Sequence, residues 1–216
     1  MEPQSVPFPT IRRITLYSRM IEEFEKAGQA WISTSDLADR FELTSIQVRK
    51  DLAFTGIIGT PKRGYPVNEL SNAIDEFLGW NNTSDAVIVG AGALGSALMG
   101  YSGFSDSGLN IVAAFDSQTG LDGQTIHGKK VYGMAKLESI IKRLYVKIGI
   151  LTVPADAAQA VADRMIDAGI RAIWNFSPVK LKVPETVVVQ REDLSAGLAV
   201  LSVKLRSMLH REGQKE

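Results

Sequence analysis

Gly90, Gly92 and Gly95 fall in the order G-x-G-x-x-G, as Gly90-Ala91-Gly92-Ala93-Leu94-Gly95, directly after the apolar run Ala86-Val87-Ile88-Val89. A turn of this kind, leading from a buried strand into a helix, sets backbone amides and a helix dipole against a pyrophosphate. Asp116 closes the next apolar run, Leu109 to Phe115, and lies 21 residues beyond Gly95. An acid at that spacing binds the hydroxyls of an adenosine ribose and repels a 2′-phosphate, which favours NAD(H) over NADP(H). A plain turn for the glycines and a capping role for Asp116 are the alternatives. Strand, turn, helix and acid together select the dinucleotide.

The chemistry that normally follows a nicotinamide site is missing. A dehydrogenase needs a proton donor and a substrate lobe. Only His127 and His210 are present, the first in a Gly-flanked loop and the second near the chain end, and neither stands in a catalytic constellation. Cysteine is absent, which excludes thiol catalysis, disulfides and cysteine-held metals and suits a reducing interior. No catalytic set and no metal-ligand set is expected.

The elements that must position the glycine turn alternate. Expected strands at Ala86–Val89, Leu109–Phe115, Lys129–Tyr132, Val146–Thr152, Ile170–Trp174 and Thr186–Val189 are separated by helices at Ala93–Tyr101, Lys136–Leu144 and Ala155–Ala168. That is the rhythm of an α/β, doubly wound parallel sheet of the Rossmann kind. Ligands of such sheets lie beyond the strand carboxyl ends. The loops Thr152-Val153-Pro154 and Asn175-Phe176-Ser177-Pro178 should therefore ring the site with Gly90–Gly95 and Asp116.

About eighty residues that fit no nucleotide fold precede the turn. A first helix over Thr10–Ala27 stops at Gly28. Ser33–Asp36 supplies caps for a two-turn helix at Leu37–Phe41, and Thr44 caps Ser45–Leu52, where Ile46, Val48 and Leu52 can face inward while Gln47, Arg49 and Lys50 face out. Two short helices joined this tightly form a helix-turn-helix. Gly56, Gly59, Pro61 and Gly64, interleaved with Ile57, Ile58, Lys62, Arg63 and Tyr65, suit a short hairpin with a basic tip, a wing. Thr44 to Tyr65 holds four basic side chains against one acid, Asp51. Arg49 and Lys50 as ordinary solvated residues are the alternative; the order of elements favours DNA in a major groove.

The chain as a whole carries 24 basic and 24 acidic residues in 216, so nucleic-acid binding must come from a local patch. The start, Met1–Pro9, is polar and proline-rich, and no run of about 18 apolar residues occurs. A soluble cytoplasmic protein without a membrane segment is expected. Residues 1–80 read as a winged-helix DNA-binding domain, 81–192 as a Rossmann NAD(H)-binding domain and 193–211 as one helix. Its stripe Leu194, Leu198, Leu201, Leu205 and Met208 packs either on its own sheet or, as a two-fold DNA site favours, on a second subunit.

At this point the chain resembles, end to end, the Rex family of redox-sensing transcriptional repressors. The carrying stretches are Gln47-Val48-Arg49-Lys50-Asp51-Leu52, the glycine turn with Tyr101 in the following helix, Phe115-Asp116, Leu151-Thr152-Val153-Pro154, Ala168-Gly169-Ile170, Asn175-Phe176-Ser177-Pro178 and Asp193-Leu194-Ser195-Ala196-Gly197-Leu198. The resemblance implies a homodimer with swapped C-terminal helices that binds an inverted-repeat operator in double-stranded DNA and releases it when NADH rather than NAD⁺ is bound. It implies DNA contacts by Ser45, Gln47, Arg49, Lys50, Lys62, Arg63 and Tyr65, and cofactor contacts by Gly90, Ala91, Gly92, Ala93, Leu94, Gly95, Tyr101, Asp116, Thr152, Val153, Pro154, Asn175, Phe176 and Ser177. Arg19 and Asp193 match a pair that joins the two domains in one state. Pro61 stands where the family's wing has arginine, and Gln118 where it tends to have a second acid. A weakly NADH-responsive paralogue, a sensor of another nucleotide such as coenzyme A or ADP, and a small NAD-dependent oxidoreductase are the rival readings.

Overall fold

The computed structural model describes residues 6–212; residues 1–5 at the start of the polar segment lie outside it. The chain divides into two compact units, one running up to Thr83 with Asp106–Gly108, the other comprising Ser84–Ser105 and everything from Leu109.

The first unit holds α1 (Phe8–Lys26), β1 (Trp31–Ile32), α2 (Thr34–Arg40), α3 (Ser45–Ala53), β2 (Tyr65–Pro66) and α4 (Val67–Leu78). Ser33 and Asp36 close a capping box on α2, and the Thr44 hydroxyl accepts from the Gln47 amide to start α3. These reciprocal bonds satisfy amides that have no partner in the helix itself. Ile14, Tyr17 and Ile21 of α1, Val48 and Leu52 of α3, and Leu70 and Ile74 of α4 meet in one buried core.

One polar group lies inside that core. Asp51 is 1% exposed, and its carboxylate accepts from Arg13 Nε (2.6 Å) and a second guanidinium nitrogen (2.7 Å), Tyr17 Oη (2.9 Å), Gln47 Nε2 (3.0 Å) and Thr10 Oγ1 (3.2 Å). Burial pushes this carboxyl up, but the bonds from Arg13, Tyr17 and Gln47 together hold it below its ordinary range. Burial and the Asp51 contact push the Tyr17 hydroxyl the other way, well above its own.

The expected wing is reduced. Thr60 and Gly64 exchange two backbone bonds around the tip Pro61-Lys62-Arg63, and the chain then pairs β2 with β1, a strand the sequence does not announce. Lys62 turns the corner at φ 63°.

The second unit contains β3 (Ser84–Val89), α5 (Ala93–Met99), α6 (Gly103–Asp106), β4 (Leu109–Asp116), β5 (Thr125–Ile126), β6 (Lys129–Gly133), α7 (Leu137–Leu144), β7 (Ile148–Leu151), α8 (Ala155–Ala168), β8 (Ala172–Asn175), β9 (Val188–Arg191) and α9 (Leu194–Glu212). The sheet runs β5-β6-β4-β3-β7-β8-β9, parallel throughout except the short β5 hairpin. Without β5 this is the 3-2-1-4-5-6 order of a dinucleotide fold, with its switch point between β3 and β7. Alternate residues of β3 feed opposite cores: Val87 and Val89 pack on one face, Ile88 on the other. Several expectations shift here. β3 begins at Ser84, α5 stops at Met99 so that Tyr101 lies outside it, α6 and β5 are extra elements, β7 and β8 begin at Ile148 and Ala172 rather than at Val146 and Ile170, and the last strand falls at Val188–Arg191.

No helix among the described residues is long and apolar enough to cross a membrane. No described side chain of α9 is buried, so it does not pack on its own sheet.

Asp51→Ala removes the anion beneath a largely buried guanidinium and should cost about 3 kcal/mol, read as a lower urea midpoint. The carboxyl is held low in the folded chain, so its contribution is full above the unfolded value near 3.9 and is lost as pH falls through the lower folded one. Urea midpoints measured from pH 5 down to pH 3 should fall steeply for the natural chain and less for Asp51→Ala.

Candidate functional site

The glycine turn sits at the sheet's switch point. Gly90 has φ 101°, and a Cβ on it would stand 2.7 Å from the Thr152 carbonyl oxygen; a Cβ on Gly95 would collide with the Gly90 carbonyl. The fold itself therefore requires both glycines. Gly92 is different: its φ is an ordinary −66°, and a Cβ there would meet no atom of the chain. Neither strain nor internal packing calls for that glycine. A bare backbone facing outward at this point is what close approach of a pyrophosphate demands, so the turn fits a dinucleotide.

Asp116, at the carboxyl end of β4, accepts from the Ala91 amide (2.6 Å) through one oxygen and from the Gln118 amide (2.8 Å) through the other. The acid and the turn are thus in direct contact across 25 residues. Gln118, two residues on, engages Asp116 through its backbone alone.

The neighbouring loops are laced to the turn. Thr152 Oγ1 donates to the carbonyls of Gly90 (2.7 Å) and Val89 (3.1 Å), Ser177 Oγ to that of Val153 (2.6 Å), and Asn175 Oδ1 takes the Ser177 amide (2.9 Å). Asn175 and Ser177 are buried with these bonds made, so their side-chain polar groups brace the loops expected to ring the site. Val153 and Phe176 are half-buried and Pro154 is exposed.

Tyr101 is 53% exposed and stands edge-on to Phe104 at 4.9 Å between ring centres. Phe104 contacts Trp174 at 5.4 Å and Trp174 contacts Phe176 at 5.1 Å. The two expected aromatics are therefore ends of one run through two rings the sequence reading missed. Trp174 Nε1 donates to Glu192 (3.0 Å), just before α9. A lone tryptophan on a strand gives no sequence signal of such a partner. His127 forms the β5–β6 turn, and its ring lies where a Cβ on Gly100 would be; His210 is exposed on α9.

In the first unit Arg49 and Lys50 are exposed on α3, as expected, and Lys62 is exposed at the tip. Arg63 lies 3.8 Å over the Trp31 ring. Three expectations change. Ile46 is 63% exposed rather than inward, Gln47 is half-buried with its amide bonded to Asp51, and Tyr65 is 5% exposed in the core. Tyr65 leaves the DNA-facing set because its ring underpins the tip, packed where a Cβ on Gly59 would otherwise sit. The Asp51 cluster was missed. Its signal lay in Arg13/Tyr17 and Gln47/Asp51, each pair four apart on one helix face.

Arg19 is exposed on α1. Asp193 caps α9, accepting from the Ser195 hydroxyl and the Ser195 and Ala196 amides, with Arg191 3.7 Å away. The Ser195 bond foremost, with help from the amides and Arg191, holds its carboxyl below the ordinary range.

Comparison with known proteins agrees across both units. The family described as "Putative DNA-binding protein N-terminus" matches residues 5–53, and the "CoA binding domain" matches residues 81–179. The Redox-sensing transcriptional repressor Rex of Treponema denticola is 48% identical over 96% of this chain and 99% of its own, and that of Carboxydothermus hydrogenoformans 43% over 95% and 99%. The crystal structure of RSP, a Rex-family repressor, in complex with β-NAD⁺ and operator DNA matches with a TM-score of 0.88 at 38% identity, covering 98% of each chain. The same protein with β-NADH gives 0.85 at 38%, covering 97% of this chain and 99% of that one. The likeness spans the helix-turn-helix, the glycine turn and the last helix together, and the chain belongs to the Rex family of redox-sensing transcriptional repressors, not to the oxidoreductases that the glycine turn alone left open.

Proposed function

We propose that the chain is a cytoplasmic repressor that binds an inverted-repeat operator as a homodimer and lets it go when NADH occupies the glycine turn. The observation that carries this reading is the junction of Asp116 with the Ala91 amide at the sheet's switch point, beside a glycine that nothing inside the chain requires. Residues 1–80 hold DNA through Ser45, Arg49, Lys50 and Lys62, with Arg63 steadied on Trp31. Residues 81–192 hold the dinucleotide: Gly90–Gly95 the pyrophosphate, Asp116 the adenosine ribose, Tyr101 and Phe176 the nicotinamide end. Residues 193–211 join two copies.

The bound cofactor reports redox state through one difference, a ring that is charged in NAD⁺ and neutral in NADH. The aromatic run from Tyr101 to Phe176 makes that end of the site apolar, and an apolar surround disfavours the charged ring. Taking the dimer from 99:1 bound to 1:99 needs a preference of about 10⁴-fold, roughly 5.5 kcal/mol. Shared between two sites, each supplies about 100-fold. Asp193 and Arg19 make the joint between domains in one of the two states, a directional Arg–carboxylate contact. In the other state the Asp193 carboxylate serves only to cap α9.

The apolar helix supports the dimer. Leu194, Leu198, Leu201, Leu205 and Met208 are all exposed along one stripe, and a helix with such a face is stable only when something covers it.

Binding of an inverted-repeat duplex, followed by gel shift with each nucleotide titrated, should show release by NADH well below the concentration at which NAD⁺ acts, with little effect of NADPH. Equal release by all three ends the redox reading, and release by coenzyme A alone replaces it with the rival sensor. Gly92→Ala should melt as the natural chain does yet bind NADH at least about tenfold more weakly, about 1.4 kcal/mol; Gly95→Ala, whose Cβ meets the Gly90 carbonyl, should instead lower the melting temperature. Leu201→Glu with Leu205→Glu should sediment as a monomer and lose the operator, where the natural chain sediments as a dimer.

A further inference from the structure

We infer that Ile46 reads the 5-methyl group of a thymine in the operator, resting on the reading above that α3 enters the major groove. Along α3 the exposed residues are Ile46, Arg49, Lys50 and Ala53, the inward ones Val48, Asp51 and Leu52. Offsets of three, four and seven define a single helical face, so the surface α3 offers begins with an isoleucine. Gln47 is on its flank, its amide drawn onto the buried Asp51 carboxylate at 3.0 Å. The residue that sequence chemistry assigns to adenine is thus tethered to the protein, and its neighbour takes the outward place.

Ile46 contributes nothing to the core it turns away from. At 63% exposed it leaves apolar area in water, a standing cost that a partner surface would recover. Its position sets which partner. It lies in the first turn of α3, the part of a recognition helix that meets base edges, one turn before two cations suited to guanine edges or phosphates. Of the groups base pairs display in the major groove, the thymine methyl alone is apolar. A β-branched side chain fixed by its helix to one rotamer presents its own methyl groups to that point without further ordering. The result is a face of mixed chemistry, cationic at Arg49 and Lys50 and apolar at Ile46, that distinguishes thymine from cytosine beside a guanine.

The test uses the full-length protein without NADH and an inverted-repeat duplex selected by it from a random pool. Each thymine is replaced singly by deoxyuridine, which lacks only the methyl group, and affinities are measured by fluorescence anisotropy. Loss of one buried methyl corresponds to about 4-fold per half-site, from about 0.8 kcal/mol per group. The expected result is one thymine position per half-site at which the natural chain loses about that factor, with Ile46→Ala binding the thymine and deoxyuridine duplexes alike and Ile46→Val falling between. Circular dichroism melting of Ile46→Ala should match the natural chain, since an exposed side chain is removed. Indifference of the natural chain to every replacement overturns the inference, as does an undiminished methyl effect in Ile46→Ala. Failure of the natural chain to retain any duplex overturns the repressor reading and this one with it.

Discussion

A single buried carboxylate sets the geometry of the DNA-facing unit. Asp51 lies on α3 and takes its strongest partners, Arg13 and Tyr17, from α1, so α3 is tied to the longest helix of its unit by charge-assisted bonds with fixed directions. A hydrophobic contact in the same place would leave the rotation of α3 about its axis to packing alone. Five hydrogen bonds converging on two oxygens do not allow that freedom, and they decide which of its residues turn outward. The cost is the desolvation of an ion pair, which apolar replacements of the same shape often avoid. Retaining it is consistent with a helix whose orientation matters more than the stability of its unit.

The second unit solves a different problem, how to bring a backbone turn close to a ligand without collapse. Two of the three glycines are consumed by internal closeness, Gly90 against Thr152 and Gly95 against Gly90. That compression, locked by Thr152 Oγ1, holds the turn rigid and leaves Gly92 as its outer surface. Asp116 is held by the turn through the Ala91 amide, so the acid and the glycine turn form one connected body, as the proposed ribose and pyrophosphate roles require. Site precision here comes from strand ends, with Asn175 and Ser177 spending their polar groups on the scaffold.

Most of this architecture was legible because its signals are local. α8 matches its expected span of Ala155–Ala168, bounded by Pro154 before and Gly169 in the left-handed region after. The parallel sheet follows from apolar runs and the helices between them. What escaped depends on contacts distant in sequence. Asp51 looks like one acid in a basic stretch until α1 folds over it. Ile46 looks inward because a nine-residue helix offers too few turns for its apolar pattern to fix a face. Tyr65 looks like part of a basic tip, but the β1 pairing draws it into the core. Helix α5 looks longer than it is because the expected span runs on to Tyr101, whereas the helix ends at Met99 and Gly100 caps it.

On the proposed reading, the last helix makes these two solutions act together by holding two copies of the chain at one spacing. An operator built as an inverted repeat has two-fold symmetry, and two recognition faces fixed rigidly on their units can meet it only if the units are held at one spacing. Rigidity in α3 would be wasted on a chain whose copies were loosely joined. α9 is apolar on more than one side, with Val200, Val203 and Leu209 exposed beside its leucine stripe, which a simple two-helix seam would leave wet. A helix exchanged between copies and enclosed by the partner covers those sides as well. At its root β9 ends at Arg191, Glu192 takes the Trp174 indole, and Asp193 caps the first turn. The aromatic run that ends at Phe176 and the start of α9 are therefore consecutive links in one unit, the arrangement through which, on the proposed reading, a change of ring charge would reset the spacing of two DNA-reading faces.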